Sequence, residues 1–138
     1  MSTGTGVLGL GTDLVEVERF RRAVTRRSSL ADRMFSDAER EYALSQYDPA
    51  KSLAARFAAK EAVMKALGVG LGSFALRDVE VKRDDTGAPS LELHGRADEL
   101  ARTRGVTGWM LSLSRTDTTA MAVAIATGQI ATGQIATR

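Results

Sequence analysis

Asp13 and Glu61 are the two acids whose surroundings are otherwise apolar or glycine-rich. Two carboxylates offered from separate elements suit a hard divalent cation, because Mg²⁺ takes one or two protein carboxylates and completes its shell with water and substrate phosphate. Arg56, Lys60 and Lys65 lie in the same stretch as Glu61, and their positive charge suits a phosphorylated ligand. The same residues admit a plainer reading: Glu61 and Lys65 as an ion pair four residues apart on one helix, and Asp13 as a residue at the start of another. Cysteine is absent, which excludes disulfides, thiolate metal sites and cysteine nucleophiles, and the single histidine, His94, excludes a cluster of histidine ligands. Any metal is therefore expected on oxygen.

These residues need elements to hold them. Val7, Leu8 and Leu10 among glycines predict a short buried strand that ends at Gly11-Thr12-Asp13, and Val17, Phe20 and Val24 then follow helical spacing. Arg19, Arg22 and Arg26 recur at i, i+3 and i+7, so they share one helical face that points away from the apolar stripe. Ser36 followed by Glu39 is a capping-box pattern that starts a helix reaching about Gln46. Asp48-Pro49 starts the next, with Asp48 as N-cap and Pro49 in the first turn. From Leu53 to Leu67 eleven of fifteen residues are apolar, so this helix is not an ordinary surface one. Leu53, Phe57, Met64 and Leu67 form a stripe of large residues, while Ala55, Ala58, Ala59, Ala62 and Ala66 make the opposite face small enough for close packing. Both faces are expected to meet protein. Lys60 falls inside the large stripe and Glu61 at its edge, so each requires a partner: phosphate, metal or the other. Gly68 stops the helix.

Val79 and Val81 alternate with charged residues, Asp84-Asp85-Thr86-Gly87 makes a turn, and Leu91 and Leu93 resume the alternation, which predicts an antiparallel hairpin. Gly95 to about Arg104 reads as a short helix; Trp109, Leu111, Leu113 and then Met121, Val123, Ile125 read as two strands joined at Arg115–Thr118. The expected fold is α+β: a small, mostly antiparallel sheet packed with helices in one domain, residues 1–126. The tandem ATGQI copies at Ala126–Ile130 and Ala131–Ile135 are too short for a solenoid repeat, so residues 127–138 are expected as a loose C-terminal extension. A chain of 138 residues with 43% hydrophobic and 26% charged residues has the size and composition of one soluble domain, which excludes a disordered or fibrous protein. The net charge of +2 is too small to point to nucleic acid, and no aromatic platform accompanies the arginines. Six arginines against Asp32 alone between Arg19 and Arg33 nonetheless leave a local excess of five positive charges, which fits an acidic partner. No membrane is expected as a partner either: no run approaches the roughly 18 apolar residues of a span, and the first residues lack a basic-then-apolar leader, so the expected location is cytoplasmic.

Four stretches together carry a resemblance: Gly9-Leu10-Gly11-Thr12-Asp13-Leu14-Val15-Glu16-Val17, Phe35-Ser36-Asp37-Ala38-Glu39, Arg56-Phe57-Ala58-Ala59-Lys60-Glu61-Ala62-Val63-Met64-Lys65-Ala66, and Leu111-Ser112-Leu113-Ser114. In order and spacing, from about Val7 to Ile125, the chain resembles the holo-acyl-carrier-protein synthases, the bacterial group of 4′-phosphopantetheinyl transferases. The resemblance implies Mg²⁺-dependent transfer of 4′-phosphopantetheine from coenzyme A to a serine of an apo acyl carrier protein, with release of adenosine 3′,5′-bisphosphate. It implies Asp13 and Glu61 as metal ligands, with Glu61 also accepting the serine proton, directly or through a metal-bound water. It places Arg56, Lys60 and Lys65 on coenzyme A phosphates, with Ser114 and the Gly87-Ala88-Pro89 turn beside the ligand; that turn reads equally as an ordinary hairpin turn. Arg19, Arg22 and Arg26 become the surface for the acidic carrier protein. A homotrimer with sites between subunits is also implied, in accord with a helix packed on two faces.

One position departs from the pattern. Arg115 stands where these enzymes usually have a histidine after the Ser-x-Ser strand end, and His94 lies in an unrelated strand. Arg115 can bind pyrophosphate as a permanent cation but cannot take up a proton at physiological pH, so it joins Asp13 and Glu61 in the catalytic set as a fixed charge. The alternative that this departure raises is a non-catalytic or very slow module that binds carrier protein or coenzyme A.

Overall fold

The computed structural model describes residues 3–131. Strand β1 (Thr3–Glu16) leads into helices α1 (Val17–Arg26), α2 (Ser29–Met34), α3 (Asp37–Leu44) and α4 (Pro49–Leu67); the hairpin β2 (Val79–Arg83) and β3 (Pro89–Leu93), helix α5 (Gly95–Thr103), and strands β4 (Val106–Arg115) and β5 (Thr119–Ala131) follow. β5 is the centre of a three-stranded antiparallel sheet ordered β1-β5-β4, and β2 and β3 form a separate two-stranded sheet. The architecture is the expected α+β one.

The local signals act as read. Ser36 accepts from the Glu39 amide and Glu39 returns a bond to the Ser36 amide, closing the capping box of α3. Asp48 caps α4 with Pro49 in its first turn, and Gly68 ends it at φ 68°, a left-handed conformation that favours glycine. The hairpin turn is held by Asp84, whose Oδ1 accepts from the amides of Thr86 (2.8 Å) and Ala88 (3.0 Å).

Close contact between α4 and the sheet is the organising feature. Ala120, Ala122, Ala124 and Ala126 alternate along β5, each no more than 1% exposed, and they meet the alanine face of α4. Small side chains on both surfaces let the backbones approach, and β1 goes further at Gly9 and Gly11, where it presents no side chain at all. A Cβ added to Gly11 would lie 1.8 Å from the Ala62 carbonyl oxygen, and one on Gly9 would lie 1.9 Å from that of Ala66. The opposite face of α4 packs on α1, α3 and β2, with Phe57 against Phe20 and Phe20 edge-on to Phe35. Both helix faces therefore meet protein, but the protein is the same chain.

Two expectations change, and one helix was not foreseen. β1 is fourteen residues long rather than a short buried strand, and its second face is open: Val7, Leu10 and Leu14 are 47%, 52% and 69% exposed, beside exposed Met110 and Met121. α2 carried no apolar period to reveal it and contains no buried residue. The first ATGQI copy is not a loose tail, because β5 continues through it to Ala131 and pairs Gly128, Gln129 and Ile130 with Gly6, Thr5 and Gly4. A ladder of backbone hydrogen bonds asks no large side chain of either strand, so glycine-rich partners at both ends of the chain still pair. Residues 132–135 of the second copy lie outside the described residues.

Candidate active site

The approach of β1 to α4 brings Asp13 to Glu61 and Lys65. Asp13 is paired across to Ala122 in the sheet, two residues beyond the Gly11 contact with Ala62. Lys65 Nζ donates to Asp13 Oδ1 at 3.2 Å and to the Thr12 carbonyl oxygen at 2.9 Å. Lys65 thus turns to β1, and among the described residues no ion pair joins it to Glu61, contrary to the plain i,i+4 reading. Partial burial and the neighbouring Asp13 charge both push the Glu61 carboxyl above its usual range, against a smaller pull from Lys65. Two carboxylates that repel each other at the mouth of a cleft are a donor set for a cation with oxygen preference, and Mg²⁺ fits them.

The cleft has a volume of about 520 Å³. Asp13, Glu61, Glu16 and Arg19 provide its charged groups, while Phe20, Val24 and Phe57 are among its apolar walls. Arg19, Arg22 and Arg26 are all exposed on α1, and Arg19 puts the start of that row at the rim beside the carboxylates.

Lys60 requires a correction. It is 0% exposed, and its Nζ donates to Glu39 Oε1 at 2.8 Å, to the Leu76 carbonyl at 3.1 Å and to the Val79 carbonyl. Glu39 is buried too and accepts from the Val81 amide at 3.0 Å. Burial pushes the Lys60 ammonium below its usual range while Glu39 pulls it back up. Lys60 therefore ties α4 to α3 and β2 and cannot reach a coenzyme A phosphate. Its periodic position predicted the need for a partner; the identity of that partner depended on tertiary packing.

Arg56, Ser114 and Arg115 gather elsewhere, around a cavity of about 100 Å³ at the end of β4. The guanidinium of Arg83 joins them, a residue the sequence did not single out. Gly87 sits behind it, at φ 86° in the hairpin turn, and its carbonyl accepts from Arg83 Nη1 at 2.8 Å; Pro89 is the strand partner of Arg83. Arg115 also borders a neighbouring cavity lined by Tyr47, Asp48 and Lys51. Asp13 and Glu61 line neither cavity, so one chain carries two separate groups: carboxylates with Lys65, and arginines with Ser114.

Two further features were not legible. Arg21, outside the predicted arginine row, makes a two-pronged bond to Asp48 (2.8 and 2.7 Å), so α1 is clasped to the N-cap of α4. The Arg21 guanidinium holds the Asp48 carboxyl down at about 2. His94 lies with Glu80 and Glu92, so an oxygen-only rule for metals was too strict, although Lys82 Nζ, 2.6 Å from Glu92, already provides a counter-charge there.

Residues 9–124 match the model of the 4′-phosphopantetheinyl transferase superfamily. The chain is 47% identical over 119 residues to the holo-[acyl-carrier-protein] synthase of Moorella thermoacetica, covering 86% of this chain and 93% of that one. It is 47% identical over 123 residues to that of Treponema denticola, covering 88% and 99%. Among solved structures, the holo-acyl-carrier-protein synthase of Plasmodium yoelii superposes with a TM-score of 0.80 at 28% identity, over 91% of this chain and 98% of that one. The Helicobacter pylori enzyme in complex with coenzyme A superposes with a TM-score of 0.75 at 27% identity, over 85% and 98%.

Proposed function

The chain belongs to the 4′-phosphopantetheinyl transferase superfamily, as an enzyme of the holo-acyl-carrier-protein synthase kind, and from that premise we propose that it moves 4′-phosphopantetheine from coenzyme A to a serine hydroxyl of an acyl carrier protein with Mg²⁺ bound at Asp13 and Glu61. The observation that carries the metal assignment is the meeting of these two carboxylates beside Lys65, with Glu61 raised by burial and by Asp13. When bound, Mg²⁺ neutralises charge on the pyrophosphate and stabilises the phosphate that departs. Glu61 takes the serine proton; its raised basicity suits that step. The serine oxygen then bonds to the phosphorus bearing pantetheine, the phosphoanhydride breaks, and its electron pair leaves on adenosine 3′,5′-bisphosphate. Lys65 turns from Asp13 toward phosphate oxygen as charge builds there. Arg56, Ser114 and Arg115 hold other phosphate oxygens, and Arg115 acts as a fixed positive charge. With Glu61 as base, no histidine is required.

The two groups of residues lie apart within one chain, which accords with a homotrimer in which the carboxylates of one subunit face the arginines of the next. The open apolar sheet face, with Leu10, Leu14 and Met110 more than half exposed, supports that assembly better than α4, whose faces are both filled by its own chain. Arg19, Arg22 and Arg26 dock the acidic carrier protein at the rim of the cleft. Among the described residues no helix is long and apolar enough to cross a membrane, in keeping with the proposed cytoplasmic location.

The test is intact-mass spectrometry of an apo acyl carrier protein incubated with this chain, coenzyme A and Mg²⁺. Phosphopantetheine addition that stops on chelation of the metal is expected. No addition by the native chain, with addition by Arg115→His, would identify a binding module that has lost its chemistry.

A further inference from the structure

The β2–β3 hairpin carries a like-charge pair at its centre. Glu80 and Glu92 are direct partners across the two strands. Like charges opposite one another in a ladder destabilise it, so this pairing asks for a cation. Lys82, two residues along β2, supplies part of the answer: its Nζ lies 2.6 Å from Glu92 Oε2 and 3.9 Å from Glu80 Oε1. Two carboxylates against one ammonium still leave one negative charge in this group. His94 follows β3 directly, and its amide donates to the Asp78 carbonyl oxygen at 2.8 Å. That bond continues the ladder by one residue and sets the His94 ring on the same face as Glu92, two positions before it.

Each carboxylate is held by one oxygen and turns the other to the same ring nitrogen. Ser36 Oγ donates to Glu80 Oε2 at 2.7 Å, and Lys82 holds Glu92 Oε2. Glu80 Oε1 and Glu92 Oε1 then lie 3.1 Å and 3.6 Å from His94 Nε2, and one ligand atom from each of the three residues falls within 4.8 Å of the others. Donor atoms around a tetrahedral Zn²⁺ with bonds of about 2.0–2.2 Å stand roughly 3.3–3.5 Å apart, a spacing that the two measured separations bracket. When Nε2 carries no proton, it and Glu80 Oε1 are two acceptors facing each other, and a cation between them satisfies both. Burial pushes the Glu80 carboxyl up, but Ser36, His94 and Lys82 keep it below its usual range, so it stands ionised as a ligand must.

We propose that Glu80, Glu92 and His94 bind one Zn²⁺ on the hairpin, with water as its fourth ligand and Ser36 as the outer partner that aims Glu80. A nitrogen ligand and a tetrahedral spacing select Zn²⁺ over Mg²⁺, which takes an octahedral shell of oxygens. The carboxylates at Asp13 and Glu61 are the reverse case, an oxygen-only set. The cleft there is lined by other residues, so the hairpin metal stands outside the reaction. Its role is to hold two like-charged strands together and, through His94, to fix the point where α5 begins. Through Ser36 the same ion is tied to the N-cap of α3.

Titration of the full chain with Zn²⁺ against a chromophoric chelator, in excess Mg²⁺, tests this. His94→Gln is the decisive variant, because His94 is exposed and its side chain caps nothing among the described residues. It is expected to weaken Zn²⁺ about tenfold or more, as is Glu92→Gln, whereas Glu61→Gln leaves the affinity within about twofold. Zn²⁺ at about a hundredfold its dissociation constant should raise the melting temperature of the native chain by several degrees and leave that of His94→Gln in place. Co²⁺ in the same site should show the intense visible absorption of a four-coordinate ion, absent in His94→Gln. Zn²⁺ that binds equally well without His94, or is lost in Glu61→Gln instead, would overturn the site, as would a native chain that binds none. A His94→Gln chain whose melting temperature falls by the same amount with and without Zn²⁺ would make the three side chains an ion-pair cluster only, and would also overturn it.

Discussion

Lys60 and Glu61 are neighbours on one helix and have opposite fates. At Lys60 the charge is answered: the ammonium has three acceptors, and Glu39 serves Lys60, the Ser36 amide and the Val81 amide. On the Glu61 side the charges are left in tension, with a second carboxylate close by and one half-exposed lysine turned to Asp13. Satisfied polar groups fix a fold, whereas charges held together without full compensation are available to a ligand. The same contrast separates the Arg21–Asp48 clasp from the Arg56 pocket.

Removing an answered charge should damage stability more than chemistry. Lys60→Met leaves Glu39 buried without its cation and is expected to cost about 3–5 kcal/mol in urea denaturation. Adding Glu39→Gln, which keeps the shape and removes the stranded charge, should recover at least half. A native-like Lys60→Met chain with impaired nucleotide binding would instead move Lys60 into the site and break the comparison.

The approach that creates the Glu61 side can be tested through glycine. Gly11→Ala drives a Cβ into the Ala62 carbonyl and should destabilise by about 2–3 kcal/mol while parting Asp13 from Glu61. Gly70→Ala, where a Cβ meets nothing within 4 Å, is the neutral control by the same urea measurement.

The clasp gives a smaller, pH-dependent effect. Asp48 has a folded pKa of about 2 against 3.8, so its stabilisation is full above pH 5 and lost as pH falls toward 2. Asp48→Asn, which retains a capping side chain, should therefore cost at most about 1 kcal/mol at pH 6, allowing for solvent screening of a part-exposed pair, and nothing near pH 1. Urea midpoints of the two chains at a series of pH values would show the curves converging on acidification.

What was legible in the sequence was local. Ser36 and Glu39, Asp48 and Pro49, Gly68, and the Asp84–Gly87 turn each act within a few residues, and the period of α4 marked Lys60 and Glu61 as charges in need of partners. Asp13 was already expected beside Glu61 as a second carboxylate, whereas the partners of Lys60 were not legible, because Glu39 and Val79 reach α4 only through the tertiary fold. Arg83 escaped notice for the same reason: it ends β2, and only packing brings it to the cavity beside Arg56. The long β1 was hidden because Thr3-Gly4-Thr5-Gly6 has no apolar alternation, and its pairing with β5 is made by backbone groups.

The most direct test of the contrast is Glu61→Gln, read by single-turnover phosphopantetheine transfer at saturating Mg²⁺ and by thermal unfolding without metal. Loss of the proposed base and metal ligand should slow transfer about a thousandfold or more. Relief of the repulsion with Asp13 should leave the melting temperature equal or higher. Transfer within tenfold of the native rate, or a chain that melts several degrees lower, would mean that Glu61 is a structural charge like Lys60 and that the chemistry lies elsewhere.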